Sequence, residues 1–190
     1  MSEIKPASLK HHFLIAMPDM ADPNFAHSIT YICEHNDEGA MGIVVNRPME
    51  LTVADILNHL QIKEFDERLQ EQQVLYGGPV QTERGFVLHR TQPHKWDTTL
   101  CVDGDICLTT SRDILQAIAN NEGPPESLIA LGYAGWSAGQ LDNEMAQNAW
   151  LSVKADADIL FATPFDQRWQ AAAALLGVDM NLMSGQVGHA

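Results

Sequence analysis

Positive charge is scarce in this chain: Lys and Arg together number 11 against 25 Asp and Glu, a formal net charge of -14. A protein that grips phosphates needs clustered cations and a surface potential that draws the polyanion in. Only Arg84, Arg90 and Lys95 form a loose basic group, so direct nucleic-acid contact is not expected, nor is adhesion to an anionic membrane surface. Long hydrophobic runs are missing too. The longest, Ala171 to Leu176, falls far short of the ~20 residues of a membrane span. Met1 to Lys10 carries no apolar stretch of the kind found in a signal peptide. Cysteine is sparse: Cys33, Cys101 and Cys107 are an odd set without framework spacing, which fits a reducing compartment and points to the cytoplasm. None of the 8 histidines forms a His-x3-His, His-Glu-x-x-His or Cys/His knuckle pattern, and Cys101 and Cys107 flank a turn at a spacing unhelpful for a metal, so no metal or cofactor is expected. Neither Tyr76-Gly77-Gly78-Pro79 nor Gly132-Tyr133-Ala134-Gly135 matches a nucleotide fingerprint.

What is present suffices for one ordinary domain: 190 residues, 45% of them hydrophobic, can bury a core without disulfides or metal. The expected organisation is a flexible arm over 1–9, one domain over 10–184 and a small polar tail over 185–190. His12 to Met17 reads as a strand ended by Pro18. Ser28 to His35 and Ala40 to Asn46 read as a hairpin around Asn36-Asp37-Glu38-Gly39. Thr52 suits the cap of a helix from Val53 to Leu60, with Val53, Ile56, Leu57 and Leu60 on its inner stripe. Short strands follow at Val74 to Tyr76 and Gly85 to Arg90. Thr98 to Val102 and Ile106 to Thr109 flank Asp103-Gly104, a two-residue hairpin signal. A helix runs from Thr110 or Ser111 to Ala119. Leu128 to Tyr133 is a strand, Gly139 to Asn148 a helix, and a strand of doubtful extent lies around Ile159-Leu160-Phe161. Thr163-Pro164-Phe165-Asp166 starts a last helix that stops at Gly177. Hairpins outnumber regular strand–helix–strand alternation. The expected fold is therefore α+β, a single compact domain with antiparallel hairpins in a mixed sheet surrounded by helices.

Gly135-Trp136-Ser137-Ala138-Gly139 matches the Gly-x-Ser-x-Gly nucleophile elbow, and its strand-before, helix-after context is partly right. Asp158 or Asp179 could be the acid and His189 the base. Against this, little chain follows Ser137 to carry the partners, and His189 is the penultimate residue, whereas a general base must be held at hydrogen-bond distance. The bland reading of the stretch is a tight turn between strand and helix. Gln140, Glu144 and Asn148 recur at i, i+4 and i+8 and share one helix face. A polar stripe is usually a solvated face, but Trp136 at its head and Trp150 past its end make a groove. Asn46, Arg47, Gly77 and Gly78 sit at neighbouring strand ends.

Four stretches carry a family likeness: residues 9–48 (LKHHFLIAMPDMADPNFAHSITYICEHNDEGAMGIVVNRP), 76–89 (YGGPVQTERGFVLH), 131–151 (LGYAGWSAGQLDNEMAQNAWL), and RWQAAAALLGVD with the Gly188-His189-Ala190 end. On these the chain resembles the YqgE/AlgH family of bacterial proteins. The resemblance implies one α/β unit with a branched, partly barrel-like sheet wrapped by helices. It also implies that Asn46-Arg47-Pro48, Gly77-Gly78-Pro79, Gly135-Trp136 and Gly139-Gln140-Leu141 gather in space. No catalytic role comes with it, and the family pattern does not require serine at position 137. One branch is labelled a transcriptional regulator. With no helix-turn-helix and an acidic surface here, that carries over only as indirect regulation. The reading is a cytoplasmic binding or regulatory module engaging a protein or small ligand through a groove of Asn46, Arg47, Gly77, Gly78, Trp136, Gln140, Glu144 and Asn148. An enzyme of unassigned chemistry, with a hydrolase suggested by the Gly-x-Ser-x-Gly match at Ser137, is the alternative.

Overall fold

Local signals place most of the elements. A computed structural model describes residues 8–178; the expected tail at 185–190 and most of the expected arm lie outside the described residues. The strands are β1 (His12–Ala16), β2 (Ile29–Asn36), β3 (Gly39–Val44), β4 (Pro48–Thr52), β5 (Gln73–Tyr76), β6 (Val80–Arg90), β7 (Thr99–Cys101), β8 (Ile106–Thr109), β9 (Ser127–Ser137) and β10 (Trp150–Lys154). The helices are α1 (Val53–His59), α2 (Arg112–Ala119), α3 (Gln140–Ala146), α4 (Ala157–Ala162) and α5 (Arg168–Ala174), the last preceded by a 3-10 turn at Phe165–Gln167. Thr52 starts α1 as expected: its hydroxyl accepts from Asp55 N at 3.2 Å while the Asp55 carboxylate accepts from Thr52 N at 2.9 Å, a reciprocal capping box.

One sheet takes all ten strands, in the order β10-β1-β2-β3-β9-β6-β8-β7, with β4 and β5 branching from β9. Its pairings are antiparallel except β5 with β9. Strand β9 is the hub. One edge pairs with β6, from Ser127 opposite His89 to Tyr133 opposite Val80. Along the other edge β5 takes Ala130 and Leu131, and β3 then takes Ala134 to Ser137. The sheet curls, as a half-barrel must, and buries three apolar layers. Phe13, Ile15, Tyr31, Ile43, Leu75, Phe86 and Leu88 fill the hollow of the curl, with Leu160 of α4 and Ala172 and Ala173 of α5 packed in. Helices α1 and α2 cover Val74, Val87 and Ile129. Helix α3 sets Leu141 on Leu14, Ile32, Trp136 and Trp150. The fold is thus the α+β class expected.

Between β5 and β3, two backbones meet with no room for side chains. A Cβ on Gly77 would stand 2.3 Å from Gly132 O, one on Gly78 would stand 2.1 Å from Tyr133 C, and one on Gly132 would stand 2.4 Å from Gly78 O. Gly132 also sits at φ +80° and Gly78 at φ +151°, left-handed values that favour glycine.

Four expectations need correction. Strand β9 does not stop at Tyr133: it runs on through Trp136, because Gly39 to Gly42 of β3 supplies a ladder for a stretch that looked like a turn. Residues 157–162 are helix, not strand: Asp156 accepts from Asp158 N and Ile159 N, capping α4. The strand there is β10, which pairs with β1. The Asp103-Gly104 connection is one residue longer than a two-residue hairpin, closing Val102 N to Ile106 O at 2.9 Å with the Asp103 carboxylate accepting from Asp105 N. Lastly, the cysteines do pair: Cys101 and Cys107 face each other across β7 and β8 and form a disulfide, leaving Cys33 as a buried thiol. No helix among the described residues is long and apolar enough to cross a membrane.

The glycine crossing predicts a steep local sensitivity. Gly78→Ala and Gly132→Ala each combine a backbone clash with a left-handed residue and are expected to cost about 3 kcal/mol or more. Gly85→Ala meets open space and is expected to stay within about 1 kcal/mol. Urea unfolding of the three variants checks this ordering.

Candidate functional site

Seven of the eight residues singled out in the sequence have internal work. Asn46 and Arg47 clamp the loop that leads into β2. The Asn46 amide accepts from Ile29 N at 3.0 Å and donates to His27 O at 2.9 Å. Arg47 donates to the carbonyls of Pro23 (2.9 Å), Asn24 (2.6 Å) and Ala26 (2.8 Å). The loop so held presents Phe25, whose ring lies 6.2 Å from Trp136 and 5.5 Å from Trp150. Both indoles donate to one oxygen of Glu144, at 3.1 and 2.9 Å, and Gln140 Nε2 donates to the other at 3.0 Å. Gln140 Oε1 in turn accepts from Ser137 N at 3.0 Å. Thus Arg47, Trp136, Gln140 and Glu144 belong to one chain of contacts running through Phe25, packed between loop, sheet and α3. Gly77 and Gly78 belong to the crossing. Asn148 follows α3 at φ +59° and is exposed.

The elbow-like serine is part of the same helix start. Ser137 Oγ lies 3.3 Å from Gln140 Oε1 and bonds to no histidine among the described residues. Asp158, one candidate acid, accepts from Arg90 Nη2 at 2.8 Å. Asp179 and His189 lie outside the described residues. Arg90 also pairs with Glu126 and lies 5.5 Å over the Phe161 ring, so the loose basic group of the sequence loses one of its three members to internal pairing. His35 is a bridging histidine: Nδ1 accepts from Leu9 N at 2.8 Å and Nε2 lies 3.2 Å from the Asp142 carboxylate. No cluster of three or more metal-ligating side chains occurs among the described residues.

Space for a ligand lies elsewhere. A groove of about 560 Å³ lies between α1, α2 and the face of β6, β8 and β9. Its floor and walls are apolar: Ile56, Leu60, Val87, Leu115, Ile129 and Leu131. Asp55, His59, Glu83 and Arg112 ring it. Arg112 Nη2 donates to Leu60 O at 2.5 Å and ties α1 to α2. His59 and Glu83 make no side-chain hydrogen bond with a described residue. Gly85 borders the groove, and the position of its missing Cβ has no atom within 4 Å. A second, shallower cavity of about 620 Å³ joins Asn46 to the turn between α4 and α5. A third, of about 630 Å³, has Trp136, Gly135 and Tyr133 on one side and Arg84 and Phe86 on the other. Asn46 and Trp136 are the two sequence-chosen residues that reach these spaces, in different ones. The groove was missed because Ile56 and Leu60 carry the same stripe signal as the buried Val53 and Leu57. Periodicity shows which face turns inward but not where the opposing layer stops.

Beneath the groove lies a buried polar chain. Thr109, on its wall, sits 2.7 Å from His89 Nε2 and 2.9 Å from Thr99 Oγ1. His89 Nδ1 is 2.9 Å from Arg90 O, which only accepts. Nδ1 therefore carries a proton toward that carbonyl. Burial lowers the pKa of His89 below its ordinary 6.5, against a smaller opposite pull from that carbonyl.

The sheet and its helices thus define a class: α+β proteins with a curled, branched sheet. The family model described as AlgH-like matches residues 13–181, and the chain belongs to that family. A UPF0301 protein of Thioalkalivibrio sulfidiphilus is 58% identical over 184 residues, spanning 97% of this chain and 98% of the relative. One from Nitrosococcus oceani is 54% identical over 181 residues, covering 95% and 96%. The solution structure of the AlgH protein from Pseudomonas aeruginosa covers all of both chains at 52% identity with a TM-score of 0.80. A crystal structure from Corynebacterium diphtheriae shares 19% identity, covers 97% and 94%, and has a TM-score of 0.73; that likeness concerns the fold alone.

Two measurements follow from these networks. Glu144→Ala strands two indole donors on Trp136 and Trp150, which are 6% and 3% exposed, so a loss of about 2 kcal/mol or more is expected, with Glu144→Gln losing less because it keeps an acceptor oxygen. Denaturation followed by tryptophan fluorescence reads it. His89 titrates at a lower pH folded than unfolded, so below about pH 6.5 the unfolded state takes up its proton first. Stability is expected to be fully present above pH 6.5 and to fall as pH drops below it, with a shallower fall in His89→Gln. A series of unfolding curves between pH 7.5 and 5 would show the difference.

Proposed function

We propose that this protein is a binding module whose groove between α1 and α2 takes a small, largely apolar ligand. The observation behind this is the enclosed apolar concavity. About 560 Å³ lies within the range of small-molecule sites, and such sites pair apolar walls with a few convergent polar groups. His59 and Glu83, uncommitted to other side chains, supply polar groups at the rim, and Arg112 fixes the spacing of the two helices. Regulation, in this reading, is indirect: the ligand alters the α1–α2 layer and a partner senses it. A net charge of -14 speaks against DNA as that partner. Asn46, Arg47, Gly77, Gly78, Trp136, Gln140 and Glu144 then serve as frame, holding loop and helix to the sheet, while Asn148 lies exposed after α3. The hydrolase alternative finds no support in the partners of Ser137. A cytoplasmic setting stays in the proposal without the cysteine argument, since Cys101 and Cys107 pair.

The neutral dye N-phenyl-1-naphthylamine tests the groove. Its fluorescence is expected to rise on wild-type protein and to saturate at one dye per chain. Gly85→Phe, which projects a ring into open space, is expected to abolish the rise while unfolding in urea much as wild type does. Equal dye binding by both proteins would refute the assignment.

A further inference from the structure

Arg168, the first residue of α5, is 3% exposed. Its Nε donates to Thr163 O at 2.9 Å and its Nη1 to Val45 O, and its guanidinium carbon lies 4.5 Å from the centre of the Phe165 ring. All three partners are neutral. No ion pair among the described residues includes Arg168. Nη2 donates to no described residue, and Arg168 lines a cavity of about 620 Å³ together with Asn46, Pro48, Phe161 and Phe165. Burial lowers the guanidinium pKa to about 10, which still leaves it charged at neutral pH. A charge withdrawn from water without an opposite charge is costly, and chains of this kind normally supply the partner.

We infer that this cavity binds a small monocarboxylate with an apolar or aromatic body. The carboxylate meets Arg168 Nη2, and the body lies along Phe161, Phe165 and Pro48. Asn46 offers a further donor: one amide hydrogen goes to His27 O and its oxygen accepts from Ile29 N, which leaves the second amide hydrogen free. Phosphate fits poorly. A doubly charged group needs more donors than one half-committed guanidinium and one amide hydrogen, and Asp166 on the cavity rim repels it more strongly than it repels a single charge. The site is separate from the groove of the proposed function and stands or falls on its own.

An NMR titration of 15N-labelled full-length protein with benzoate and 4-phenylbutyrate tests it, with benzamide and inorganic phosphate as comparators. Both carboxylates are expected to give saturable shifts at the Asn46 side-chain amide and along residues 161–168, with benzamide and phosphate at least about tenfold weaker. Arg168→Met is expected to weaken carboxylate binding at least about tenfold. Asp166 is exposed and its side chain makes no hydrogen bond with a described residue. Asp166→Asn is therefore expected to keep the fold and tighten binding about twofold at low salt. If Arg168→Met does not fold, the benzamide and Asp166→Asn arms decide. Benzamide binding as well as benzoate, shifts confined to the α1–α2 groove, no saturable binding to wild type, or no tightening in Asp166→Asn would each overturn the inference.

Discussion

Gly77 and Gly78 pass over Gly132 and Tyr133 so closely that any side chain would sit inside another residue's backbone. That contact is where the sheet branches. Below it β9 pairs with β5, above it with β3, and on its far edge with β6. Strand β9 thus changes partner along one edge at the crossing, and the layer curls around the core. The curl encloses one core closed by α4 and α5, and leaves a second face for α1 and α2. Both candidate sites are consequences. The groove floor at Ile129 and Leu131 lies on β9 just before the crossing. The Arg168 cavity lies where the α4–α5 turn meets the corner after β3.

Polar residues that look functional in a sequence are here spent inward. A buried donor without an acceptor costs about as much as a sizeable core contact, so loops and helices that pack on a sheet must bring their own acceptors and donors. Glu144 does this for two indoles, Asn46 and Arg47 for the carbonyls and amide around residues 23–29, and His35 for the start of the described chain. Arg168 differs because its acceptors are neutral. Hydrogen bonds to two carbonyls engage part of its N–H set and leave its charge without an opposite charge among the described residues.

How much could be read from residue order depends on the range of the deciding interaction. The β2–β3 hairpin, α1 with Thr52 as cap, α2, and the Pro164 start before α5 follow from periodicity and end signals within a few residues. The far end of β9 did not, because its glycines satisfy a turn as well as a strand and only the distant β3 chooses between them. Residues 157–162 follow a related rule: a short apolar run fits either period, and the Asp156 cap selects the helix. The site residues divide the same way. Asn46 and Trp136 reach open cavities, but Arg168 and Gly85 carried no local signal.

The sequence by itself determined the excess of acidic residues, the α+β class, most hairpins and caps, and the family, since these depend on composition, near-neighbour geometry and motif identity. Tertiary structure alone decided that Cys101 meets Cys107, that Glu144 serves two tryptophans, that Ile56 and Leu60 line a groove at the edge of a core, and that one buried arginine has no counter-charge among the described residues. Each of these depends on which distant backbone lies alongside, and that is set by the glycine crossing rather than by any run of adjacent residues.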